Sequence, residues 1–256
     1  MKTLIVFAKA PVAGNVKTRL LESTPLDEGQ VLDLYTAFLT DTLTMATLTG
    51  AETIAIHYTP ATEEKKMRKI VRGLRIGSRN ERRFTFAPQE GQTFTDRIAH
   101  SFRLAVKQGG GQLAMIGSDS PLIRPQMIDT AFEFIYSRSG MALGPSMEGG
   151  VYLIGFNADA PVDFERVFTK GSEIENLVKI AKALNMPLKI LPETLDVDVA
   201  SDLVSLVSII RALSYERKFT DQVFPVNTGK MIENLKLKIA RAPDNSRGKF
   251  LEFSDE

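Results

Sequence analysis

The chain lacks cysteine and tryptophan, and its histidines are limited to His57 and His100. Without cysteine, disulfides, thiolate metal sites and cysteine nucleophiles are excluded, and two histidines are too few for a multi-histidine zinc site. No apolar run approaches the roughly 20 residues of a membrane-spanning helix. The N-terminus does not resemble a signal peptide, because Lys9 interrupts a short apolar run. We therefore expect a cytoplasmic protein without a membrane span.

The charges are almost balanced, since 32 basic and 31 acidic residues leave a formal net charge of +1. Such a balance provides no electrostatic footprint for nucleic acid or for an anionic membrane, although it permits a local anion pocket. Apolar residues make up 43% of the 256 positions, which is enough for a substantial core. The composition indicates a globular protein that does not bind nucleic acid.

Strand-like and helix-like segments alternate along most of the chain. Short apolar runs such as Thr3–Phe7 and Thr53–Thr59 predict buried strands, and stretches with apolar residues every three or four positions predict the helices between them. This alternation predicts an α/β fold, a three-layer sandwich with a mostly parallel central sheet and helices on both faces. We expect one domain over residues 1–214.

Residues 215–256 form a C-terminal extension that is richer in charge, proline and asparagine. Its stretch MIENLKLKIARA, residues 231–242, predicts a helix that could dock on the domain or form the contact of a homodimer. From Pro243 onward we expect a frayed or disordered end.

The first predicted strand runs into the loop of FAKAPVAGNVKTRL, residues 7–20. A buried strand that opens into a glycine-containing loop with cations is suited to phosphate, because backbone N–H groups can approach the anion while Lys17 and Arg19 neutralise it. The alternative is that both cations belong to a solvated surface. The string matches neither the GxxxxGK[ST] phosphate-binding loop nor the GxGxxG dinucleotide fingerprint.

A second candidate is GSDSP, residues 117–121, which follows another predicted strand. Ligands of parallel α/β sheets bind at the carboxyl ends of strands, and Asp119 leaves such an end. A carboxylate there is suited to Mg²⁺ or Mn²⁺. The alternative is that Asp119 caps the following turn or helix.

Two further motifs carry acidic residues. In GPSMEGGVYLIGF, residues 144–156, Glu148 precedes Gly149 and Gly150, which indicates either close backbone approach to a ligand or a hairpin turn. In LDVDVASDL, residues 195–203, Asp196 and Asp198 are two positions apart and would point to one side of an extended chain. Their mutual repulsion there must be balanced by a cation. The alternative for LDVDVASDL is the start of a helix capped by Ser201 and Asp202.

Together, these four motifs resemble the DUF2064 family of small bacterial and archaeal proteins related to glycosyltransferases. The resemblance covers residues 1–207 and implies the fold of the nucleotide-diphospho-sugar transferases, the GT-A type. Guanylyltransferases of molybdenum-cofactor and coenzyme F420 biosynthesis are more distantly similar.

The resemblance also implies roles for individual residues. The nucleobase and ribose would be bordered by Phe7, Ala8, Lys9 and Ala10. The phosphates would be met by Gly14, Lys17 and Arg19. The divalent metal, Mg²⁺ or Mn²⁺, would be held by Asp119 and Asp198. The acceptor or sugar would face Glu148, Gly149 and Gly150. The catalytic residues would be Lys17, Arg19 and Asp119.

This chain departs from the family pattern at two places on the acceptor side. Glu148 stands where the family usually has aspartate, and FTKGSE, residues 168–173, stands where it tends to have a tryptophan followed by serine or threonine. The leading hypothesis is a metal-dependent transferase with a nucleotide-activated donor and a small-molecule acceptor, of the nucleotide-sugar glycosyltransferase type. The alternatives are a guanylyltransferase-like nucleotidyltransferase acting on a small phosphorylated acceptor, and a non-catalytic nucleotide-binding protein on the same scaffold.

Overall fold

The structure is a computed structural model that describes residues 1–165, 167–241 and 248–254. Its strands follow the apolar runs of the sequence. Leu4, Ile5 and Val6 of the first strand are fully buried, as expected for a strand covered on both faces. The strands are β1 (Lys2–Lys9), β2 (Thr53–Thr59), β3 (Phe84–Pro88), β4 (Gln112–Ile116), β5 (Met141–Pro145), β6 (Val151–Asn157), β7 (Leu188–Ile190), β8 (Leu237–Arg241) and β9 (Lys249–Phe253).

The helices largely agree with the periodic segments of the sequence, with two short additions. The helices are α1 (Thr18–Ser23), α2 (Glu28–Thr47), α3 (Glu64–Gly73), α4 (Ser78–Glu81), α5 (Phe94–Lys107), α6 (Pro125–Arg138), α7 (Glu173–Ala183), α8 (Ala200–Glu216) and α9 (Val226–Asn234). The sequence pattern predicts neither α1 nor α4, because six and four residues are too few to show a helical period. None of the helices in the described residues is long and apolar enough to cross a membrane.

The described residues form a seven-stranded sheet in the order β3-β2-β1-β4-β6-β5-β7. β1 pairs in parallel with β2 and β4, β2 pairs in parallel with β3, and β5 pairs in parallel with β7. β6 runs antiparallel to both of its neighbours, β4 and β5. The predicted α/β fold with a mostly parallel sheet is therefore confirmed.

Helices cover both faces of this sheet. On one face, apolar side chains of α5 and α7, among them Phe102 and Leu177, join a core cluster with Ile154 and Phe156 of β6. Gly155 lies between these two strand residues and must face the other side, because side chains alternate along a strand. There, a Cβ added to Gly155 would lie 2.9 Å from Ile135 of α6. The two helix layers and the sheet make the predicted three-layer sandwich.

The chain divides into two compact units built from interleaved segments. The sheet unit contains the seven-stranded sheet and is formed by Met1–Ala10, Leu43–Ser118 and Ile123–Thr194. The helical unit is formed by Pro11–Thr42, Asp119–Leu122 and the described part of Leu195–Glu256. It contains α1, most of α2, α8, α9 and the two-stranded sheet of β8 and β9.

The helical unit has its own apolar core. Buried side chains of α1, α2 and α8 pack together there with residues of the C-terminal extension. The cluster includes Leu20, Leu34, Phe38, Leu203, Val207, Ile210, Ile232, Leu237 and Leu251. Burying these large side chains stabilises the unit, because each fully buried side chain contributes about 1.5–3 kcal/mol.

The division into residues 1–214 and 215–256 stays a prediction, although α8 continues across residue 214 to Glu216. Within the extension, the predicted helix over residues 231–242 is wrong in its second half. Lys236 adopts φ 48°, in the left-handed region that ends helices, and Leu237–Arg241 forms β8 instead. The alternating pattern of LKIAR suits a strand with one buried face.

The expectation of a frayed end from Pro243 onward is also wrong for Lys249–Phe253, which forms β9. This strand pairs antiparallel with β8, and Leu251 opposite Ile239 is buried in the core of the helical unit. Residues 243–247 and 255–256, to which the same expectation applied, lie outside the described residues, as does Ala242 at the end of the predicted helix.

One buried carboxylate fixes the beginning of α9. Asp41 of α2 accepts hydrogen bonds from the backbone N–H and side-chain amide of Asn227, at 3.0 and 2.8 Å, and from the backbone N–H of Thr228 at 2.7 Å. These contacts satisfy N–H groups of the first helical turn, which have no partner within the helix. Asp41 thereby anchors the C-terminal extension within the helical unit.

Candidate functional site

The helical unit brings together five charged side chains, which we call the charge cluster: Lys17, Arg19, Asp119, Asp196 and Asp198. Lys17 directly precedes α1 and has φ 49° and ψ 40°, a left-handed conformation that is uncommon for a residue other than glycine. Such strained backbone is most often found at functional sites. The Lys17 side chain is only 3% exposed.

The Lys17 ammonium bridges two carboxylates. Its Nζ lies 3.0 Å from Oδ2 of Asp119 and 3.3 Å from Oδ1 of Asp198. The second oxygen of Asp198 is 3.1 Å from Nη1 of Arg19. Asp198 is therefore held by a cation on each oxygen, one buried and one, Arg19, 74% exposed.

A backbone contact brings the segments of Asp119 and Asp198 together. The N–H of Val197 donates to the carbonyl of Asp119 at 3.0 Å. Oγ of Ser120 lies 3.5 Å from Oδ1 of Asp196. Asp202 supplies the expected helix cap, since its carboxylate accepts from the N–H groups of Asp198 and Val199. The capping role thus falls to Asp202, which leaves the Asp198 carboxylate to the two cations.

The cluster keeps Lys17 charged although it is buried. Burial alone lowers the pKa of an ammonium. Attraction to Asp119, Asp196 and Asp198, together with the hydrogen bond to Asp119, outweighs burial and raises the pKa of Lys17 above its ordinary value. A permanently charged lysine with a nearly inaccessible side chain is therefore part of the site.

For Asp196 the charged form is disfavoured, because this residue is partly buried near other carboxylates. Burial and repulsion by Asp119 raise its pKa to about 6, although attraction to Lys17 works in the other direction. Sequence reasoning noted Asp196 through its alternation with Asp198 but did not include it among the site residues. The property that sets it apart is its partial burial, which the alternation could not indicate.

The donor chemistry of the cluster fits a hard divalent cation. Asp119 and Asp198 offer carboxylate oxygens and are 40% and 47% exposed, so solvent and ligands can reach them. Across the described residues, however, no group of three or more histidine, cysteine or acidic side chains is arranged to hold a metal ion by itself. This fits Mg²⁺, which commonly uses one or two carboxylates and completes its shell with water and substrate phosphates.

The other residues proposed for the nucleotide are divided between the units. Gly14 lies in the helical unit with φ 74°, and a Cβ there would approach Glu28 to 3.1 Å, so both backbone and space favour glycine. Phe7–Ala10 lie in the sheet unit at the end of β1. There, Ala10 N–H donates to Thr59 and the amide of Gln89 donates to the carbonyl of Ala8. Their role at a nucleobase stays a prediction.

Glu148, Gly149 and Gly150 form the turn between the antiparallel strands β5 and β6, so the hairpin interpretation is confirmed. Glu148 has φ 58° and, like Lys17 and Lys236, is a non-glycine residue in the left-handed region. Oγ of Ser172 donates to the carbonyl of Gly149 at 2.9 Å. The turn is therefore fastened to the FTKGSE segment, and its role at an acceptor stays a prediction.

An aromatic chain in the sheet unit joins two of the motifs. The Phe94 ring meets Phe7 edge-on at 5.8 Å and Phe168 at 5.1 Å. Phe94 is 47% exposed at the start of α5. Phe168 belongs to FTKGSE, so an aromatic ring is kept in the segment where the family tends to have tryptophan. Sequence reasoning missed Phe94, because nothing local marks it as a neighbour of Phe7.

Several solved structures share the fold of this chain. A proposed nucleotide-diphospho-sugar transferase from Desulfovibrio desulfuricans G20 superimposes with a TM-score of 0.72 at 24% identity, covering 91% of this chain and 98% of that one. A cytidylyltransferase from Leptospira borgpetersenii serovar Hardjo-bovis gives a TM-score of 0.53 at 14% identity, covering 91% and 94%. A 4-diphosphocytidyl-2C-methyl-D-erythritol synthase from Anaerococcus prevotii gives 0.54 at 8% identity, covering 82% and 96%. The chain has the fold of the nucleotide-diphospho-sugar transferases.

Residues 42–170 match the sequence model of the family described as "Uncharacterized protein conserved in bacteria (DUF2064)". The chain belongs to this family, which confirms the resemblance. The match includes Asp119 and the Glu148 turn, whereas Lys17, Arg19 and Asp198 lie outside it. No protein of curated function matches the chain.

Proposed function

We propose that this protein is a metal-dependent transferase that uses a nucleotide-activated donor, with the charge cluster as the centre that handles the donor's phosphates. The observation that carries the proposal is the buried Lys17 ammonium between the half-exposed carboxylates of Asp119 and Asp198. The fold, shared with nucleotide-diphospho-sugar transferases and nucleotidyltransferases, supports the same chemistry.

The protein's own residues would act mainly by electrostatics and positioning. Negative charge develops on a phosphate leaving group during transfer, and the positive charges of Lys17 and Arg19 are suited to stabilise it. Arg19 is the more adaptable of the two, because its side chain is largely exposed. Asp119 and Asp198 would hold Mg²⁺ or Mn²⁺, which when bound neutralises further negative charge on the phosphates.

Two reactions use such a centre. In the first, which we favour, a sugar passes from a nucleoside-diphosphate sugar to a small acceptor and a nucleoside diphosphate leaves. In the second, a small phosphorylated acceptor attacks the α-phosphate of a nucleoside triphosphate and pyrophosphate leaves. The second reaction stays an alternative because the similar Leptospira and Anaerococcus structures are named as a cytidylyltransferase and a 4-diphosphocytidyl-2C-methyl-D-erythritol synthase. Glu148 and the FTKGSE segment would face the acceptor in either case.

The test begins with a thermal-shift panel of nucleoside triphosphates and nucleoside-diphosphate sugars, with and without Mg²⁺. A ligand at a hundred times its Kd stabilises the folded protein by about 2.7 kcal/mol, which is easily detected. Ligands that raise the melting temperature are then offered with candidate acceptors. Release of nucleoside diphosphate supports sugar transfer, whereas release of pyrophosphate supports nucleotidyl transfer.

Asp119→Asn tests the assignment of the centre. If Asp119 acts on the reacting phosphates, this variant should lose about 10²–10³ in rate. Asp221→Asn is the matched control, because Asp221 is an exposed aspartate of the same unit. Equal rates for the two variants would overturn the assignment. A panel in which no nucleotide raises the melting temperature would overturn the proposed function, and binding without turnover would support the non-catalytic alternative.

A further inference from the structure

We propose that the Lys17 ammonium occupies the position between the Asp119 and Asp198 carboxylates where a divalent cation would bind. A divalent cation binds there only when phosphate groups contact the ammonium in place of these carboxylates. The inference rests on the proposed function for its biological meaning, but its physical content concerns this chain's own residues. It predicts that the site binds a metal–diphosphate complex and not the free metal.

The first argument is the position of the ammonium. Nζ of Lys17 contacts one oxygen of each carboxylate, at 3.0 and 3.3 Å. This is the bridging position between the two groups, and an ammonium and a second cation cannot share it without strong repulsion. Fewer carboxylate oxygens are open to a metal at Asp198, because its second oxygen contacts Arg19.

The second argument is burial. Removing the partner of a buried charge is strongly unfavourable, because the remaining charge stays desolvated without compensation. Lys17 is almost completely buried, whereas both carboxylates are partly open to solvent. If a divalent cation bound both carboxylates, the buried ammonium would lose these partners and would lie next to additional positive charge. Phosphate oxygens would give Lys17 new partners and remove that penalty.

The third argument is the number of charges and ligands. The carboxylates of Asp119 and Asp198 are already balanced by the two cations Lys17 and Arg19. A dication alone would make the cluster net positive, and the negative charges of a diphosphate would reverse this. The described residues also offer too few ligands to hold a metal by themselves. Phosphate oxygens would therefore supply both the missing ligands and the missing negative charge.

The decisive experiment measures Mn²⁺ binding without any nucleotide. Free Mn²⁺ is followed by electron paramagnetic resonance during titration of the wild type, Lys17→Met and Arg19→Met. Both variants remove one positive charge from the cluster, but Lys17 is buried and bridges two carboxylates whereas Arg19 is exposed and contacts Asp198. We expect Lys17→Met to bind Mn²⁺ about tenfold or more tightly than the wild type, within the usual range of coupling between sites.

Arg19→Met should tighten Mn²⁺ binding by less than about threefold, because exposed charges are screened by solvent and salt. Unchanged or weaker binding by Lys17→Met would overturn the inference. Equal tightening by both variants would also overturn it, since net charge and not the bridging ammonium would then govern affinity. Circular dichroism verifies that each variant is folded.

A second measurement needs only the wild type and serves if Lys17→Met does not fold. Melting temperatures are recorded with Mn²⁺ alone, methylenediphosphonate alone, and both. The inference requires that the shift with both exceed the sum of the separate shifts. A shift with Mn²⁺ alone as large as the shift with both would overturn it.

The two proposals fail separately. If Lys17→Met tightens Mn²⁺ binding while no nucleotide in the panel binds, the proposed function fails and the role of Lys17 stands. If nucleotides bind and are turned over while Lys17→Met leaves Mn²⁺ affinity unchanged, the role of Lys17 fails and the function stands.

Discussion

Replacing Asp196 with asparagine should stabilise the protein at neutral and alkaline pH and have a much smaller effect in acid. Asparagine has nearly the shape of aspartate, so the substitution mainly removes a negative charge. That charge is unfavourable in the folded protein, because Asp196 is partly buried near Asp119 and its pKa is raised to about 6 from the ordinary value of 3.8.

The size of the effect follows from the difference between these two pKa values. A carboxyl whose pKa is higher in the folded protein binds protons more tightly there, so stability falls as pH rises from about 4 to about 6. With about 1.36 kcal/mol for each pKa unit, the ionised Asp196 lowers the free energy of unfolding by about 3 kcal/mol at pH 8. At pH 4.5 the same relation gives about 1 kcal/mol. The attraction to Lys17 is already contained in the pKa.

The assay is urea unfolding of wild type and Asp196→Asn between pH 4.5 and 8, with EDTA present to remove divalent cations. The advantage of the variant should grow by about 2 kcal/mol across this range. Glu193→Gln is the control, because Glu193 is exposed nearby in the sequence and its substitution should change stability by less than about 0.5 kcal/mol. An advantage that does not grow with pH, or a variant less stable than wild type at pH 8, would refute the reasoning.

Three further predictions concern other parts of the chain. Burial, followed by repulsion from His100, lowers the pKa of His57 to about 4. The folded protein therefore loses stability as pH falls below 6.5, by about 2 kcal/mol between pH 7 and 4.5. In urea unfolding, His57→Leu should abolish this loss. Asp41→Ala leaves the N–H groups at the start of α9 without their acceptor, so the free energy of urea unfolding should fall by about 3 kcal/mol, and a loss under about 1 kcal/mol would contradict the anchoring role. A Cβ on Gly144 would lie 2.3 Å from the Tyr152 ring, so Gly144→Ala should destabilise by more than about 2 kcal/mol in the same assay. Gly73→Ala is the control, because the new methyl would meet no described atom within 4 Å beyond its chain neighbours and the backbone of its own helix. It should be neutral or stabilising by up to about 1 kcal/mol, and equal losses for both glycine variants would count against the steric argument.

The fold was largely predictable because most strands and helices of the sheet unit are marked locally. β2 agrees with the apolar run Thr53–Thr59, and Pro125 marks the beginning of α6. The direction of β6 was not predictable, because a buried strand has the same composition whether it pairs in parallel or antiparallel. Residues 237–241 were predicted as helix, since a short apolar run fits both periods and the pairing partner β9 decides between them.

The charge cluster was predictable in part for a topological reason. Lys17 and Asp119 follow predicted strands, and the carboxyl ends of parallel strands lie at one edge of a sheet, so the sequence already suggested that their loops lie at that edge. The structure adds that these strands, β1 and β4, are parallel neighbours. The sequence could not predict the bridging contact of Lys17 or the partial burial of Asp196. Both depend on how distant segments of the helical unit pack, and no local pattern encodes that. The ring contacts of Phe94 escaped prediction for the same reason.

The interleaved segments of the helical unit have a consequence for the newly made chain. A ribosome adds about 5–20 residues each second, so the 79 positions from Asp119 to Asp198 separate the synthesis of these partners by about 4–16 seconds. Lys17 is synthesised earlier than both carboxylates and has neither partner until they are made. The centre is therefore completed only after Asp198 has been synthesised, and a fragment that ends between residues 20 and 195 carries the cations without Asp196 and Asp198.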